Sequence, residues 1–554
     1  MPRPIRAPVP RDQLVDCACI ALCVVLLAAP FLGSLGFYSD DWWILHQFKN
    51  AFEQGRFGLQ TIINGFEGRP LQGAYLAGLF WAFRFDPLGY HLVNAAVRAV
   101  AAVCLYRLFR RMRIETAIAL AAVAIFIVLP QRSTGRVWYS TFQIPLSLLF
   151  ALLSLHAQLS FAKYGGKWRV AAAALLALLS IAAYEVFAPL IVAFPLWLIV
   201  EARREGRLHG SEGRRHAWLA VAAVVTVGLA VLAKYAATDR AQAPSLEMYM
   251  KGLKRLVEPD YDWRTEGSLN IFATIEVNLW QPLVGLARGT AAVIRGDLPT
   301  ASILAGIAVA ALIFWRLVAT KKNEDDASRS GLRAMVIGSV AFLLAHAVFL
   351  INSQMQFSTT GIGNRALVGM APGLALAAAG LLALLFRRFP RIGPVLFSAA
   401  VSLVVLTAAW RMGQIYNYWA ESWSIEQRIL ASARTDLEAL PDNSTVIFDG
   451  VCPYHGPGIV MEAWEAADML SLTLGREVWA DTSTNRMQLR RDGLATTIFN
   501  ATKVYPYGPN LYAYDPYRHL LTPLVDFRAA SAYFSNRNGV RKCPTGYVGQ
   551  GVLI

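Results

Sequence analysis

The stretch LVDCACIALCVVLLAAPFLGSLGFYSDDWW (residues 14–43) decides which class of protein this chain belongs to. Residues 14–37 form an apolar run long enough to cross a hydrocarbon core, which takes about 20 helical residues. The run follows several arginines and exceeds the roughly 7–15 apolar residues of a signal peptide, so we interpret it as a retained anchor. It ends at two adjacent carboxylates, Asp40 and Asp41, and the rest of the sequence has to explain why they stand at a membrane surface.

The composition is that of a membrane protein. The chain has 554 residues, of which 56% are hydrophobic and 16% charged, with a mean hydropathy of +0.41. A soluble protein of this length needs more charge to cover its surface. The net charge of +15 comes largely from short loops between apolar runs, which indicates membrane topology rather than nucleic-acid binding.

The apolar runs predict a polytopic α-helical membrane protein with about 11 transmembrane helices. The predicted spans are residues 14–37, 88–108, 115–130, 144–162, 169–184, 186–200, 217–236, 301–318, 334–351, 366–386 and 393–410. With this count the N-terminus and the basic loops share one side, which the positive-inside rule assigns to the cytoplasm. The segment 271–294 is also apolar, but counting it would place the basic stretch 387–391 outside. We therefore interpret it as an interfacial or re-entrant helix.

This topology divides the chain into two predicted domains. Residues 1–410 form the transmembrane domain, with large outer loops at 38–87 and 237–300. Residues 411–554 begin with an amphipathic helix, continue with alternating strand and helix patterns, and are predicted to be a small extracytoplasmic α/β domain. Cys452 and Cys543 lie in this domain and could form a structural disulfide if it faces an oxidising compartment.

The two aspartates are the first candidates for chemistry. One of them, or Ser39, could simply cap the helix that starts here. One cap does not require two charges beside a membrane, where buried charge is costly and usually functional. Adjacent carboxylates also raise each other's pKa, which suits a general base or a cation site.

Other polar residues fall on the same predicted outer side. Arg69 precedes a proline and could reach an anion, and Arg365 stands at the outer mouth of the tenth span, where it could bind a lipid phosphate. His91 and Asn94 share one helical face and are either a satisfied polar pair inside the bundle or part of a cavity. The remaining candidates on this side are Arg132, Trp138 and Glu185.

Several chemistries are excluded by the motifs that the sequence lacks. It contains no phosphate-cradling glycine loop, no HExxH, no clustered His and Cys set and no GxSxG elbow. Energy from nucleotide hydrolysis is therefore not expected. A channel or transporter would more often place charges at mid-membrane, whereas here the polar residues gather at one face.

Blocks in the first part of the chain carry a resemblance to a known family. YSDDW (38–42), RPL (69–71), GYHLVN (89–94) and VWYS (137–140), with Glu185 and an arginine before a late span, resemble the GT-C superfamily of membrane glycosyltransferases. The likeness is to the TPR-containing O-mannosyltransferases and their bacterial relatives. It covers about residues 14–200, thins through 201–400 and is absent after 411. This chain has no TPR array, and Tyr184 replaces the lysine that precedes the acid in the family.

The resemblance implies an enzyme that takes a sugar from a polyprenyl-phosphate donor at the outer face of the cytoplasmic membrane. The acceptor would be a glycan, lipid or protein. By family position Asp40 is the general base and Asp41 either orients it or binds the acceptor, while Arg365, with Arg69 or Arg132, holds the donor phosphate. His91, Asn94, Trp138 and Glu185 are expected to line the substrate cavity. No metal site is expected, although Asp40 and Asp41 leave Mg²⁺ or Mn²⁺ open.

Two other functions remain open from the sequence. One is a transferase or polymerase that moves whole lipid-linked oligosaccharides, and the other is a non-enzymatic flippase of lipid-linked sugars. The acidic pair at the outer face argues against the flippase. The aromatic run 504–517 would either contact an acceptor sugar near the cavity mouth or only pack the domain against the membrane.

Overall fold

Helices make up most of the chain up to residue 436. The computed structural model describes residues 11–63, 65–237, 274–320, 327–350, 358, 360–389, 391–483, 487–498 and 501–535. The helices up to that point are α1 (Arg11–Ala28), α2 (Asp40–Glu53), α3 (Leu59–Ile63), α4 (Pro70–Phe83), α5 (Pro87–Arg111), α6 (Thr116–Val128), α7 (Thr134–Val137), α8 (Gln143–Tyr164), α9 (Lys167–Ala183), α10 (Ala188–Arg204), α11 (Gly210–Ala237), α12 (Gln281–Arg295), α13 (Thr300–Ala319), α14 (Ala327–Leu350), α15 (Ala371–Phe386) and α16 (Gly393–Asp436). Short 3-10 segments cover Pro130–Arg132, Tyr139–Thr141, Glu185–Phe187 and Ile362–Gly369.

The chain is a polytopic α-helical membrane protein. Within the described residues, six helical stretches are long and apolar enough to cross a membrane: Pro87–Arg111, Tyr139–Tyr164, Glu185–Arg204, Gly210–Lys234, Thr300–Ala319 and Gly393–Asp436. A bent pair, Gly363–Gly369 with Ala371–Phe386, would add a seventh. Each of the eleven predicted spans overlaps a helix, but α6 has 13 residues and α9 has 17, so the count of eleven stays a prediction.

The exposed surface of the bundle and its helix–helix contacts are both those expected of a membrane protein. Exposed apolar side chains run along α11, including Val224, Leu229 and Leu232 at 56%, 59% and 64% exposure, as lipid-facing positions require. Between α14 and α15 small residues let the backbones touch. A Cβ added at Gly373 would lie 2.5 Å from the Phe342 nitrogen, so this position tolerates only glycine. This contact helps fix the 3-10 segment that precedes α15.

The two ends of the bundle differ in the charged side chains that they carry and in how these are paired. Ion pairs join the predicted basic loops and helix ends to one another, through Arg316–Asp16, Arg333–Glu201, Arg387–Glu115 and Arg113–Glu205. We call this the basic end of the bundle. The opposite end, which carries Asp40, is called the Asp40 end.

The apolar segment 271–294 is helical from residue 274 onward. A π-helical turn, Glu276–Trp280, leads into α12, and α12 packs against α16. Its position relative to a membrane surface stays a prediction. The first part of the predicted outer loop, 238–273, lies outside the described residues.

The helix α16 connects the bundle to the C-terminal part. Its 44 residues run without a break through the predicted boundary at residue 410, so within this helix the span and the amphipathic segment are continuous. A small α/β region follows, with β1 (Thr445–Phe448), β2 (Tyr454–His455), β3 (Gly458–Ile459), α17 (Ala466–Leu474), β4 (Trp479–Thr482), β5 (Met487–Arg490), β6 (Gly493–Ile498), β7 (Ala501–Pro506), β8 (Leu511–Asp515), β9 (Leu520–Pro523) and α18 (Phe527–Ser535). The main sheet has the order β4-β1-β8-β9, in which β1 is parallel to both of its neighbours and β9 is antiparallel to β8.

Two expectations concern this α/β region. Cys452 is disulfide-bonded, while Cys543 lies outside the described residues. In the aromatic run 504–517, Tyr505 donates to Asp481 and Tyr514 to Asp436, at 2.7 and 2.6 Å. Both tyrosines are buried and hydrogen-bonded within the C-terminal part of the chain, so neither presents its ring to an acceptor sugar.

The α/β region shares a hydrophobic core with the first outer loop. Side chains of α2 and α4 pack in one cluster with Val446 and Leu470 of the C-terminal region. Trp42 stacks on Trp423 of α16 with ring centroids 6.1 Å apart, and His46 Nδ1 lies 2.7 Å from the carboxylate of Asp468. The C-terminal region is thereby held over the helix that begins at Asp40.

Candidate active site

The site is built around the junction where the chain enters α2. Gly36 allows the ring of Trp423 to lie on the backbone, since an added Cβ would fall 1.9 Å from that ring. Ser39 then adopts φ 51° and ψ −125°, a left-handed conformation that is rare for a residue with a side chain. Strained backbone of this kind persists only where the surroundings enforce it, and it gathers at functional sites.

The two aspartates have different environments. Asp41 is fully buried, and its Oδ2 and Oδ1 accept from the backbone N–H groups of Tyr38 and Ser140 at 2.9 and 2.7 Å. Burial raises the pKa of Asp41 well above its usual range, against the lowering effect of these hydrogen bonds. The geometry fits the orienting role and leaves no surface for an acceptor.

Asp40 is partly exposed at the first position of α2. Burial raises the pKa of Asp40, while the positive charge of Arg365 and a hydrogen bond from Trp464 lower it. A carboxylate whose pKa is raised toward neutrality is better suited to accept a proton than an ordinary surface aspartate. Asp40 therefore has the surroundings expected of a general base.

Arg365 lies on the 3-10 segment Ile362–Gly369, which precedes α15. The neighbouring Asn364 anchors this segment, because its Nδ2 donates to Pro130 O and to Ser133 Oγ, both at 2.9 Å. The Arg365 guanidinium carbon lies 5.8 Å from the ring centroid of Trp138. Arg365 is partly exposed and acts electrostatically on Asp40, so a base and a cation from distant parts of the sequence meet at one place.

Arg69 is bound to a carboxylate. Its Nε and Nη2 donate to the two oxygens of Glu185 at 3.1 and 2.8 Å, and its guanidinium lies 4.5 Å from the centroid of the Tyr184 ring. Lys234, which the sequence reading missed, lies 2.8 Å from the same carboxylate. Each of the three charged side chains is about one-third exposed. Arg69, Glu185 and Lys234 are therefore brought together as a paired cluster.

Arg132 is buried at 7% exposure, with its guanidinium 3.5 Å from the centroid of the Phe126 ring. It lies beside two further buried arginines, Arg98 and Arg136, whose charges act on it. Arg132 was expected to hold the donor phosphate with Arg365. In the structure it lies in a cluster with these two arginines, and its role toward a donor stays a prediction.

His91, Asn94 and Trp138 were expected to line a cavity, and the structure corrects this. Their exposures are 2%, 0% and 1%. His91 Nε2 lies 3.3 Å from Gly36 O, and Asn94 donates to Gly135 O at 3.2 Å. These side chains satisfy backbone groups beneath the site because α5 packs directly against the loops that form it. Trp138 has a similar role, since its indole N–H donates to Tyr38 O at 2.8 Å.

The C-terminal region supplies residues that sequence reasoning missed. The indole N–H of Trp464 donates to Ser39 Oγ at 3.2 Å and also hydrogen-bonds Asp40. Glu465 is fully buried, accepts from Glu462 N at 2.6 Å, and has its pKa raised well above the usual range by burial. Carboxylates within the apolar stretch 459–470 were a possible signal, but the sequence could not show which distant residues they meet.

The aspartate pair does not fit a divalent cation well. Both oxygens of Asp41 are engaged by backbone amides, so only Asp40 offers an open carboxylate. In the described part of the chain no three His, Cys, Asp or Glu side chains are grouped as metal ligands.

Comparisons with known proteins find structural similarity only. No protein-family model and no curated protein sequence matches the chain. The oligosaccharyltransferase of Archaeoglobus fulgidus, tethered to an acceptor peptide with the NVT sequon, is matched at 13% identity and a TM-score of 0.45 over 85% of this chain. The same enzyme, AglB, with an inhibitory peptide and a dolichol-phosphate, is matched at 13% identity and a TM-score of 0.42. This chain spans 64% of that enzyme's length.

ArnT from Cupriavidus metallidurans, bound to undecaprenyl phosphate, is matched at 12% identity and a TM-score of 0.34, over 85% of this chain and 86% of ArnT. At these scores, the function proposed below rests on the geometry of the chain's own residues.

Proposed function

We propose that this protein is a GT-C-type glycosyltransferase that moves a single sugar from a polyprenyl-phosphate donor to a glycan, lipid or protein acceptor. The observation that carries the proposal is the meeting of Asp40 and Arg365 at one end of a membrane bundle. A partly exposed base with a raised pKa stands there beside a partly exposed cation. Transfer from a phosphate-linked donor needs these two groups.

The reaction assigns a role to each group. The acceptor hydroxyl gives its proton to Asp40 while its oxygen attacks the anomeric carbon. The bond from that carbon to the phosphate oxygen breaks, and the electron pair leaves with the polyprenyl phosphate. Arg365 stabilises the negative charge that develops on this phosphate. Attack from the face opposite the leaving group inverts the anomeric configuration, by the logic that separates glycosidase classes.

Other residues of the site position these two groups. Asp41 holds the junction against the loop at Ser140 and so fixes the direction of Asp40. Asn364 fixes the turn that carries Arg365. The paired cluster of Arg69, Glu185 and Lys234 ties α4 and α11 to the segment Glu185–Phe187.

The class of sugar donor follows from the side of the membrane on which the Asp40 end lies. If the basic end faces the cytoplasm, the Asp40 end faces outward, where nucleotide sugars do not occur and a lipid-linked sugar is required. The bonded state of Cys452 supports an oxidising outer compartment for the C-terminal region. We therefore place the reaction at the outer face of the cytoplasmic membrane, with Trp464 and its neighbours at the rim of the site.

The test is transfer by purified protein in proteoliposomes. Polyprenyl-phosphate donors carrying different radiolabelled sugars are incubated with a cell-envelope acceptor fraction, and products are resolved by size. One added sugar, with release of polyprenyl phosphate and loss of activity in Asp40→Asn, supports the proposal. Addition of a whole block of sugars would indicate an oligosaccharide transferase. Movement of the donor across the bilayer with its sugar–phosphate bond intact would indicate a flippase.

A further inference from the structure

A cavity of about 360 Å³ opens at the basic end of the bundle, between α5, α8, α10, α11 and α14. This volume lies in the range of about 300–1,000 Å³ that is typical of small-molecule sites. We call it the basic-end cavity. One part of its wall is apolar and consists of Met112, Leu159, Ala162, Trp197 and Leu198. Most of the remaining wall carries charged side chains, so the cavity suits a ligand with both a charged and an apolar part.

The basic-end cavity lies far from the candidate active site. Helix α8 begins shortly after Ser140, whose backbone N–H binds Asp41, and Lys163 near the other end of α8 lines the cavity. The 22 residues of α8 span roughly 33 Å at a rise of about 1.5 Å per residue. A helix length therefore separates this cavity from the Asp40–Arg365 pair.

Both carboxylates that line the basic-end cavity are held by arginines. Arg333 Nη2 donates to Glu201 at 2.7 Å, and Glu205 pairs with Arg113 and Arg207. These ion pairs offset the two negative charges of the described wall. An anion that enters the cavity is therefore not repelled by an unpaired carboxylate among these lining residues.

Cationic donors without a carboxylate partner remain on the same wall. Within the described residues, Arg111 and Lys163 line the cavity and form no ion pair, and Lys163 is exposed. Arg111 instead donates to the carbonyl of His156 and to the hydroxyl of Ser160, at 2.9 and 2.8 Å. Arg333 Nε is buried and finds no acceptor among the described residues. Cations from α5, α8 and α14 are thus available to one anion.

Exposed aromatic side chains mark the level of the lipid head groups at this end. Tyr164 lines the cavity and is 58% exposed, and Trp168 of α9 and Trp218 of α11 are 79% and 68% exposed. Tryptophan and tyrosine are enriched where a membrane meets water, because their rings are apolar and carry one polar group. A basic pocket between transmembrane helices at this level is suited to an anionic head group.

We propose that the basic-end cavity binds the phosphate ester of an anionic membrane phospholipid, with Arg111, Lys163 and Arg333 as the phosphate ligands. The phosphate supplies the negative charge that the protein does not provide and joins α5, α8 and α14. The apolar wall around Trp197 receives the first part of the acyl chains. A soluble phosphate ester offers the same anion but makes no use of this apolar wall. The inference does not depend on the proposed glycosyl transfer, because these residues lie outside the candidate active site.

The experiment measures thermal unfolding of the purified full-length protein in detergent while ligands are titrated. The probes are dioctanoyl phosphatidylglycerol, dioctanoyl phosphatidylcholine and glycerol 3-phosphate, at constant ionic strength. A ligand that binds only the folded state raises Tm with its concentration. We expect phosphatidylglycerol to raise Tm at concentrations about 10-fold lower than either of the other compounds, since only it has both the net negative charge and the acyl chains.

Variants of Lys163 test whether the cavity is the site. Lys163 is exposed, so Lys163→Met leaves no buried group unpaired and should fold normally. Loss of one charge-assisted contact should weaken phosphatidylglycerol binding about 10-fold. Lys163→Glu places a negative charge on the wall and should abolish the response. The matched control, Arg388→Met, removes an exposed arginine at the basic end that does not line the cavity, and it should bind as the wild type does.

Asp40→Asn should also bind phosphatidylglycerol as the wild type does, so a failure of the proposed glycosyl transfer leaves this result unchanged. An equal response to phosphatidylcholine would show that the cavity does not recognise charge. An equal response to glycerol 3-phosphate would assign the cavity to a soluble ligand. Either result overturns the proposal, as does an unchanged wild-type Tm or equal binding of phosphatidylglycerol by Lys163→Met and Arg388→Met.

Discussion

The two ends of the helix bundle treat arginine in opposite ways. At the basic end Arg316 is buried against Asp16, and Arg333 is held by Glu201 at 2.7 Å. At the Asp40 end the buried Arg132 and its two neighbours form no ion pair among the described residues. Buried arginines are structural partners at the basic end and stand without an ion pair at the Asp40 end, where the partly exposed Arg69 is paired with Glu185.

The difference teaches where to look for function in a membrane protein. A paired buried charge holds helices together, and removing one partner is costly because the other is left buried alone. An unpaired buried charge lowers stability and is retained where a ligand uses it. Substitutions of the ion-paired residues at the basic end should therefore change stability, and substitutions at the Asp40 end should change activity or binding.

The largest effect is expected for Asp40→Asn. An amide of the same shape cannot accept the acceptor's proton, so transfer should fall about 100-fold to 10,000-fold. The protein should still fold, with Tm close to that of the wild type. Turnover by the purified variant near the wild-type rate would show that Asp40 is not the base.

Arg365→Met should be the next most damaging change at the same end. Loss of a positive group aimed at the leaving phosphate should cost about 100-fold to 1,000-fold in kcat. Transfer rates in proteoliposomes measure the effect, and Arg388→Met serves as the matched loss of one positive charge. Equal loss of activity in both variants would point to net charge rather than to position.

At the basic end, Arg316→Met should act on stability. It leaves Asp16, which is fully buried, without its cation and should cost about 3–5 kcal/mol of unfolding free energy. The double variant Asp16→Asn with Arg316→Met should recover part of this loss. Denaturation in mixed micelles measures all three proteins, and a fully additive loss in the double variant would contradict the pairing.

Trp464→Phe should move the pH profile of transfer. The indole hydrogen bond lowers the pKa of Asp40, so its removal raises that pKa further. Because the base works only when deprotonated, the acidic limb of kcat against pH should shift to higher pH. The control is Trp479→Phe, which changes a tryptophan that is 60% exposed in β4. An unmoved acidic limb with lowered activity would leave Trp464 a purely structural contact.

The smallest effect is expected from chelation. With both oxygens of Asp41 engaged by amides, EDTA should leave the transfer rate unchanged. Inactivation by EDTA that Mn²⁺ or Mg²⁺ reverses would mean that the substrate phosphate completes a metal site with Asp40.

The sequence by itself determined the class of the protein and the positions of its helices. In lipid the backbone N–H and C=O groups must form their hydrogen bonds within the protein, so long runs of apolar residues predict helices. Every predicted span overlaps a helix of the structure. Local sequence also singled out Asp40, Asp41 and Arg365, because charge beside apolar runs is unusual. Glu185 was singled out by a similar signal, because it stands between two apolar runs, but its pairing with Arg69 and Lys234 was not predicted.

Tertiary structure alone decided the roles of these residues. Adjacent aspartates are equivalent in sequence, but helix geometry turns Asp41 onto buried amides and leaves Asp40 facing Arg365 and Trp464. The contacts of Trp464 with Ser39 and of Arg98 with Tyr416 were beyond sequence reasoning, because they join residues hundreds of positions apart. Periodicity and hydropathy describe each segment separately, whereas desolvation and charge balance depend on which segments pack together.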